Sequence, residues 1–180
     1  MPLLKVDEVC NKQDEYMTPF YAIKPIAKYI KPNSTIWCPF DVDASYYVQY
    51  FRKLGHTVIN THKVNGGDFF SIEPPQCDYI ISNPPYSVKT EVLVRLFEYD
   101  IPFAMLVGVV GLFESQPRFH MFKDNKFEIM YFNKRVRYMS DYTSGKITAQ
   151  PPFSSVYVCH NMLPQQIVFE EISTKNVVVE

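Results

Sequence analysis

Asn83, Pro84, Pro85 and Tyr86 stand between the apolar run 78–82 and a helix-like stretch. Two consecutive prolines remove two backbone donors and fix φ, so neither a helix nor a strand ladder continues through them. The loop is therefore rigid, and it presents carbonyls and two flanking side chains. The Asn83 side-chain carbonyl and the Pro84 main-chain carbonyl can each accept one N–H of a primary amine at roughly 2.9 Å. An exocyclic amine on a base such as adenine is a poor nucleophile, because its lone pair is delocalised into the ring. Holding both hydrogens biases the nitrogen toward tetrahedral geometry and frees that pair. Tyr86 suits stacking on an extruded base, a contact of about 1–3 kcal/mol. With a sulfonium-activated methyl as acceptor, no metal is needed, and catalysis reduces to positioning and electrostatics. The plainer reading is a strand-to-helix turn, begun by Asn83, with Ser87 capping the next helix.

The elements that must hold this loop follow from periodicity and turn chemistry. Strands are predicted over 34–38, 56–61, 78–82, 102–112, 127–132 and 153–160. A helix within 14–32 starts at Thr18-Pro19, with Thr18 as N-cap and Pro25 as a kink. A second is capped by Asp43, buries Tyr47, Tyr50, Phe51 and Leu54 on one face, and stops at Gly55. Two more cover 91–99 and the region around 115–125. This alternation predicts an α/β fold with a mostly parallel, doubly wound sheet. Ligands of such sheets bind beyond the carboxyl ends of the strands. "CPFD", "GGDFF" and "SNPPYS" all fall there, so three loops converge on one edge.

Bulk properties agree with a single domain of 180 residues, 47% hydrophobic and 21% charged. Thirteen tyrosines and fourteen phenylalanines are enough to line a groove as well as fill a core. A net charge of −1 gives no global attraction to nucleic acid, so any such contact needs a local patch. Lys134, Arg135 and Arg137, with Lys146 beyond and Lys89 and Arg95 after the Pro-Pro loop, are candidates for phosphate contact; a solvated face is the alternative. Cys10, Cys38, Cys77 and Cys159 are scattered without metal-ligand spacing, which reads as reduced thiols in a cytoplasm and no metal site. The four histidines are assigned no chemistry. No signal peptide or membrane-spanning run is expected.

The ordered set "DEYMTPF", "WCPFD", "GDFF", "SNPPY" and "PPFSSVYV" resembles the S-adenosylmethionine-dependent adenine-N6 DNA methyltransferases of phage and bacteria. The resemblance spans about residues 14–160, and Asn-Pro-Pro-Tyr after a strand is its most specific part. It implies a Rossmann-like sheet of the class I methyltransferase type, one domain over 1–180, with 133–152 as the segment that contacts substrate. It also implies S-adenosylmethionine as cofactor, DNA rather than RNA as partner, and the cytoplasm of a bacterial or phage-infected cell as setting. Asn83, Pro84, Pro85 and Tyr86 would be catalytic. Tyr16, Thr18, Pro19, Cys38, Pro39, Phe40, Asp41, Asp68, Phe69 and Asn83 would bind cofactor, with Thr18 and Pro19 at its methionine end, Asp68 on the adenine amine and Phe69 on that ring. Tyr86, Ser87, Lys89, Lys134, Arg135 and Arg137 would bind substrate.

Two loops depart from that family pattern. The loop after the first strand has no glycine, and Cys38 stands where an acid is often found; Asp41 or Asp43 supplies the charge from a shifted position. The second strand ends in Thr61-His62 in place of an acid. RNA adenine methylation, glutamine-amide methylation in a protein, and a non-catalytic binding protein on the same scaffold are the competing readings.

Overall fold

The computed structural model describes residues 16–147 and 151–175. Residues 14–15 of the predicted first helix region and 148–150 of the predicted substrate segment lie outside the described residues. Short runs rich in β-branched and aromatic residues form the strands β1 (Thr35–Cys38), β2 (Thr57–Asn60), β3 (Tyr79–Ser82), β4 (Phe103–Gly108), β5 (Glu128–Phe132), β6 (Ser155–His160) and β7 (Ile167–Glu170). The helices are α1 (Phe20–Ala27), α2 (Tyr46–Lys53), α3 (Lys89–Tyr99) and α4 (Gln116–Asp124).

All seven strands join one sheet in the order β2-β1-β3-β4-β6-β5-β7. β2, β1, β3 and β4 run parallel, with Ile36 opposite Val58 and Ile80 opposite Phe103. β6 is antiparallel to both β4 and β5, and β7 returns parallel to β5. Six of these seven strands therefore run in one direction, as expected for a mostly parallel sheet, and β6 is the reversed one. An apolar run such as that of β6 reports burial on both faces but not direction. β7 was not foreseen, because four edge residues with exposed Ile167 and Phe169 carry no readable period.

Alternation along the strands divides the core into two layers. Ile36, Cys38, Ile81, Ala104, Leu106, Tyr157 and Cys159 meet α1 and α2 on one face. Trp37, Ile80, Phe103, Met105, Val156 and Val158 meet α3 and α4 on the other. Helices therefore cover both faces, and the carboxyl ends of the four parallel strands open along one edge.

The helix starts differ from those read in the sequence. The N-cap position of α1 is held by Pro19 and not Thr18, and that of α2 by Ser45 and not Asp43, and neither the Pro19 nor the Ser45 side chain bonds to its helix end. Asp43 instead pairs with Arg52 at 3.0 Å on the surface. Ser87 is not at the cap position: it lies in a single tight turn, Tyr86–Val88, that leads into α3, whose cap position is Val88. Gly55 does end α2, at φ 87°, a conformation that favours glycine. Tyr47 and Phe51 are fully buried, whereas Leu54 is 45% exposed.

Candidate active site

The loops after β1, β2 and β3, joined by residues 16–18, enclose a cleft of about 240 Å³. Its walls include Tyr16, Thr18, Phe40, Asp41, Asn83 and Tyr142. Phe40, His62 and Pro85 also line a second cleft of about 110 Å³, completed by Pro39, Asp68, Phe69 and Ser87. On the other side of Asn83 lies a narrow slot of about 10 Å³, between Pro84, Tyr86, Gly108 and Phe153. Asn83 lines the first cleft and the slot, so the Pro-Pro loop is the partition between them.

Asn83 is oriented by partners of fixed polarity. Its Nδ2 donates to the Tyr16 carbonyl at 2.7 Å and to Thr18 Oγ1 at 3.1 Å. A main-chain carbonyl only accepts, so the amide nitrogen must face it and the assignment of the two ends is settled by chemistry. No donor among the described residues reaches Oδ1, which leaves it as the acceptor at the partition. Thr18, 1% exposed, is tied to the loop 65 residues away and not to the end of its own helix.

Asp41 is the acid nearest this partition. It is 4% exposed, and Ser82 Oγ donates to its Oδ2 at 2.5 Å, a length typical of O–H bonds to carboxylates. Its amide bonds to the Thr61 carbonyl at 3.1 Å, so pairing of β1 with β2 continues past the strand ends and fixes the residue. Of the two acids open as alternatives, Asp41 lines the cleft and Asp43 lies outside it.

Other predicted cofactor residues divide. Thr18 and Tyr16 line the first cleft, Pro39, Asp68 and Phe69 the second, and Phe40 both; Pro19 lines neither. Phe69 is 2% exposed and stacks on Trp37 with centroids 5.7 Å apart, so most of its ring belongs to the core; half-buried Phe40, at 5.1 Å from it, is the more open ring. Asp68 Oδ1 accepts the Phe70 amide at 3.1 Å, which shapes the turn and leaves Oδ2 as a further acceptor site. Gly66 at φ 76° makes this turn possible, and Gly67 lets it close: a Cβ there would lie 2.8 Å from Thr61 Cβ. Cys38 is corrected. Its side chain is fully buried in the α1/α2 layer, lines no cleft, and its thiol is pushed well up by burial, with Asp41 adding to the shift.

The predicted substrate residues divide as well. Tyr86 stacks on Phe153 with centroids 5.1 Å apart and planes 29° apart. Gly108 lies beneath this pair, where a Cβ would stand 2.7 Å from Tyr86 Cε2 and 2.9 Å from Phe153 Cδ2. Lys89 is not a surface cation: it is 7% exposed, donates to the Val110 carbonyl at 2.7 Å and sits 4.4 Å from the Tyr86 ring centroid. Ser87 faces the second cleft and not the slot. Arg95 is held by Tyr99 and the Ile72 carbonyl, away from any patch. Lys134, Arg135 and Arg137 are exposed on the segment that leaves the carboxyl end of β5, and no ion pair engages them among the described residues. Val136 and Tyr138 alternate with them into the core, and Met139 pairs with Met17, which ties the basic segment to the cleft rim.

Sequence reasoning missed His62, Tyr142 and Phe153. His62 Nδ1 accepts the Val64 amide at 3.2 Å while the ring lines both clefts. Its position directly after a predicted strand was the available signal. The Tyr142 hydroxyl is raised by burial and, secondarily, by Asp41; nothing local in "SDYTSG" marks its ring as part of a cleft. Phe153 lay inside a quoted motif but was read only as a strand residue. No group of three His, Cys, Asp or Glu among the described residues is placed to hold a metal ion. Cys38, Cys77 and Cys159 are free thiols, and no described helix is long and apolar enough to cross a membrane.

No family model matches this sequence, and no curated protein matches it. Among solved structures, the chain is similar to a modification subunit of a putative type I restriction enzyme from Vibrio vulnificus, at TM-score 0.56 and 9% identity, covering 96% of this chain and 52% of that one. It is also similar to a type I restriction-modification system methyltransferase subunit from Streptococcus thermophilus, at TM-score 0.51 and 10% identity, covering 88% of this chain and 47% of that one. At such identities the likeness is one of fold, and this chain spans about half the length of each neighbour.

Proposed function

We propose that this protein is an S-adenosylmethionine-dependent methyltransferase that acts on the exocyclic N6 amine of adenine in DNA. The observation that carries the proposal is the state of Asn83: both its N–H bonds are used by Tyr16 and Thr18, and its acceptor oxygen stands between a cleft and an aromatic slot. An amine delivered from the slot side meets an acceptor that is already oriented, so little reorganisation is required at the moment of reaction. The fold shared with two modification subunits supports the same reading.

The residues present fit the cofactor. The first cleft offers the Asp41 carboxyl and the Tyr16–Thr18 segment to a cationic amino-acid end; the second offers Asp68 as acceptor for a ring amine and Phe40 as an aromatic wall. His62 stands at their junction. When bound, the cofactor supplies a methyl group on a sulfonium, which needs neither metal nor strong base. A glycine-free loop after β1 is compatible with this, because approach here uses the Asp41 and Phe40 side chains and not bare backbone.

The chain's own part is to hold and orient. A base entering the slot would part Tyr86 from Phe153 and stack between them, replacing one ring contact with two. Asn83 Oδ1 and the Pro84 carbonyl would take the two amine hydrogens, and the slot excludes water behind the base. After transfer the nitrogen would be cationic and strongly acidic, so its extra proton would pass along the hydrogen bond to Asn83 Oδ1 or the Pro84 carbonyl and on to solvent water, with no dedicated base required. Calorimetric titration with S-adenosylmethionine tests the reading: micromolar binding is expected, and no detectable binding at millimolar cofactor would refute it.

A further inference from the structure

Two cations next to Tyr86 remain unexplained by the cleft chemistry. Lys89 is 7% exposed and Arg118 is half-buried, and no carboxylate among the described residues lies within ion-pair distance of either. Arg118 Nη1 donates to Thr90 Oγ1 at 2.7 Å, which anchors the guanidinium over the first turn of α3. Its Nε is buried and has no hydrogen-bond partner. Nη2 lies 3.6 Å from where a Cβ on Gly111 would stand, so the loop between β4 and α4 wraps the group closely. The Arg118 charge reaches both neighbours: it works against the upward shift of the Tyr86 hydroxyl, and after burial it is the next cause lowering Lys89.

Gathering two like charges in a half-buried place costs free energy that the Glu114 carboxylate, beyond ion-pair distance, offsets only in part for Lys89, and the unpartnered buried N–H adds to the cost. Such an arrangement is explained by an anion that belongs there. The uncommitted Nη2 of a planar guanidinium and the Lys89 ammonium beside it match a tetrahedral oxyanion. From these groups we infer that Arg118, with Lys89, forms a phosphate-binding site beside Tyr86. The inference rests on the base-flipping reading above for the source of the phosphate: it is the backbone phosphate of the strand that carries the extruded base. The exposed cluster at Lys134, Arg135 and Arg137 is a separate group, on the segment that follows β5.

The test is protection of Arg118 from phenylglyoxal, which modifies free guanidinium groups, read by peptide mass spectrometry on the full chain. Inorganic phosphate and a mixed-sequence single-stranded oligodeoxynucleotide are the two probes. Slowing by both supports the site and its assignment to nucleic acid. Slowing by phosphate alone upholds the anion site and overturns the nucleic-acid source. Slowing by neither overturns the inference. Independently, Arg118→Gln should flatten the slope of log affinity against log salt for the oligonucleotide by about 0.7, and Arg118→Lys should not. Equal slopes for wild type and Arg118→Gln, with cofactor binding intact, would also overturn it.

Discussion

Thr18 Oγ1 accepts a hydrogen bond from Asn83 Nδ2 at 3.1 Å, across 65 residues of sequence. This contact makes the segment before α1 a part of the Pro-Pro loop's geometry. Thr18→Val keeps the shape and deletes the acceptor. It should slow methyl transfer by about tenfold, equivalent to about 1.4 kcal/mol, in line with one buried hydrogen bond. Asn83→Ala removes the oriented acceptor itself and should slow transfer by about 10²–10³. Single-turnover rates at saturating cofactor check both; a Thr18→Val effect that persists in the Asn83→Ala background would show that Thr18 acts through the fold and not through Asn83.

Asp41 predicts a binding defect. Asp41→Asn keeps a partner for Ser82 Oγ and removes the negative charge from the cleft. Cofactor affinity should fall about 10- to 100-fold, the range for a charge-assisted contact, while the thermal midpoint moves little. Calorimetry and a melt on the same sample check this. A variant that binds cofactor normally would assign Asp41 to structure alone.

Gly108→Ala tests the aromatic slot. A methyl group 2.7 Å from Tyr86 Cε2 and 2.9 Å from Phe153 Cδ2 must push the rings apart, at a cost of about 1–3 kcal/mol. Transfer should be lost by tenfold or more with cofactor affinity unchanged. Wild-type transfer in this variant would place the base elsewhere.

Arg135→Ala with Arg137→Ala should weaken DNA binding and flatten the salt slope by roughly one to two units on duplex DNA. Both side chains are exposed while Val136 and Tyr138 between them anchor the segment, so the fold should not respond. An unchanged slope would make the cluster a solvated face.

His56 gives a pH signature. It is 9% exposed, and burial lowers its pKa from 6.5. The unfolded chain therefore binds more protons between the lowered value and 6.5, and stability is lost as pH falls through that window. His56→Gln should remove this part of the acid dependence, seen as a denaturation midpoint that falls less steeply as the pH drops below 6.5. An identical pH profile would contradict it.

Much of the scaffold was legible because six strands are short apolar runs bounded by Gly, Pro and Asp, and α2 and α3 have clear spacing. Direction was not legible, so β6 was expected as a strand but not as the reversed one. Local chemistry misled at Thr18, Asp43 and Ser87: each is a good cap by type, yet a tertiary partner, a surface Arg or a cleft wall claims its side chain instead. Lys89 looked like a phosphate contact at the surface; only packing against Tyr86 and Val110 reveals it as buried. The site loops were legible through the rule that ligands sit past carboxyl strand ends, whereas Tyr142 and His62 required the folded chain.

The most direct test is transfer itself. Purified protein is incubated with methyl-labelled S-adenosylmethionine and with DNA, RNA or protein pools, and the labelled polymer is digested to its monomers. The account predicts label in DNA as N6-methyldeoxyadenosine, appearing about 10²–10³ more slowly with Asn83→Ala. Label in RNA or in protein glutamine, or cofactor binding with no label in any pool, would contradict it.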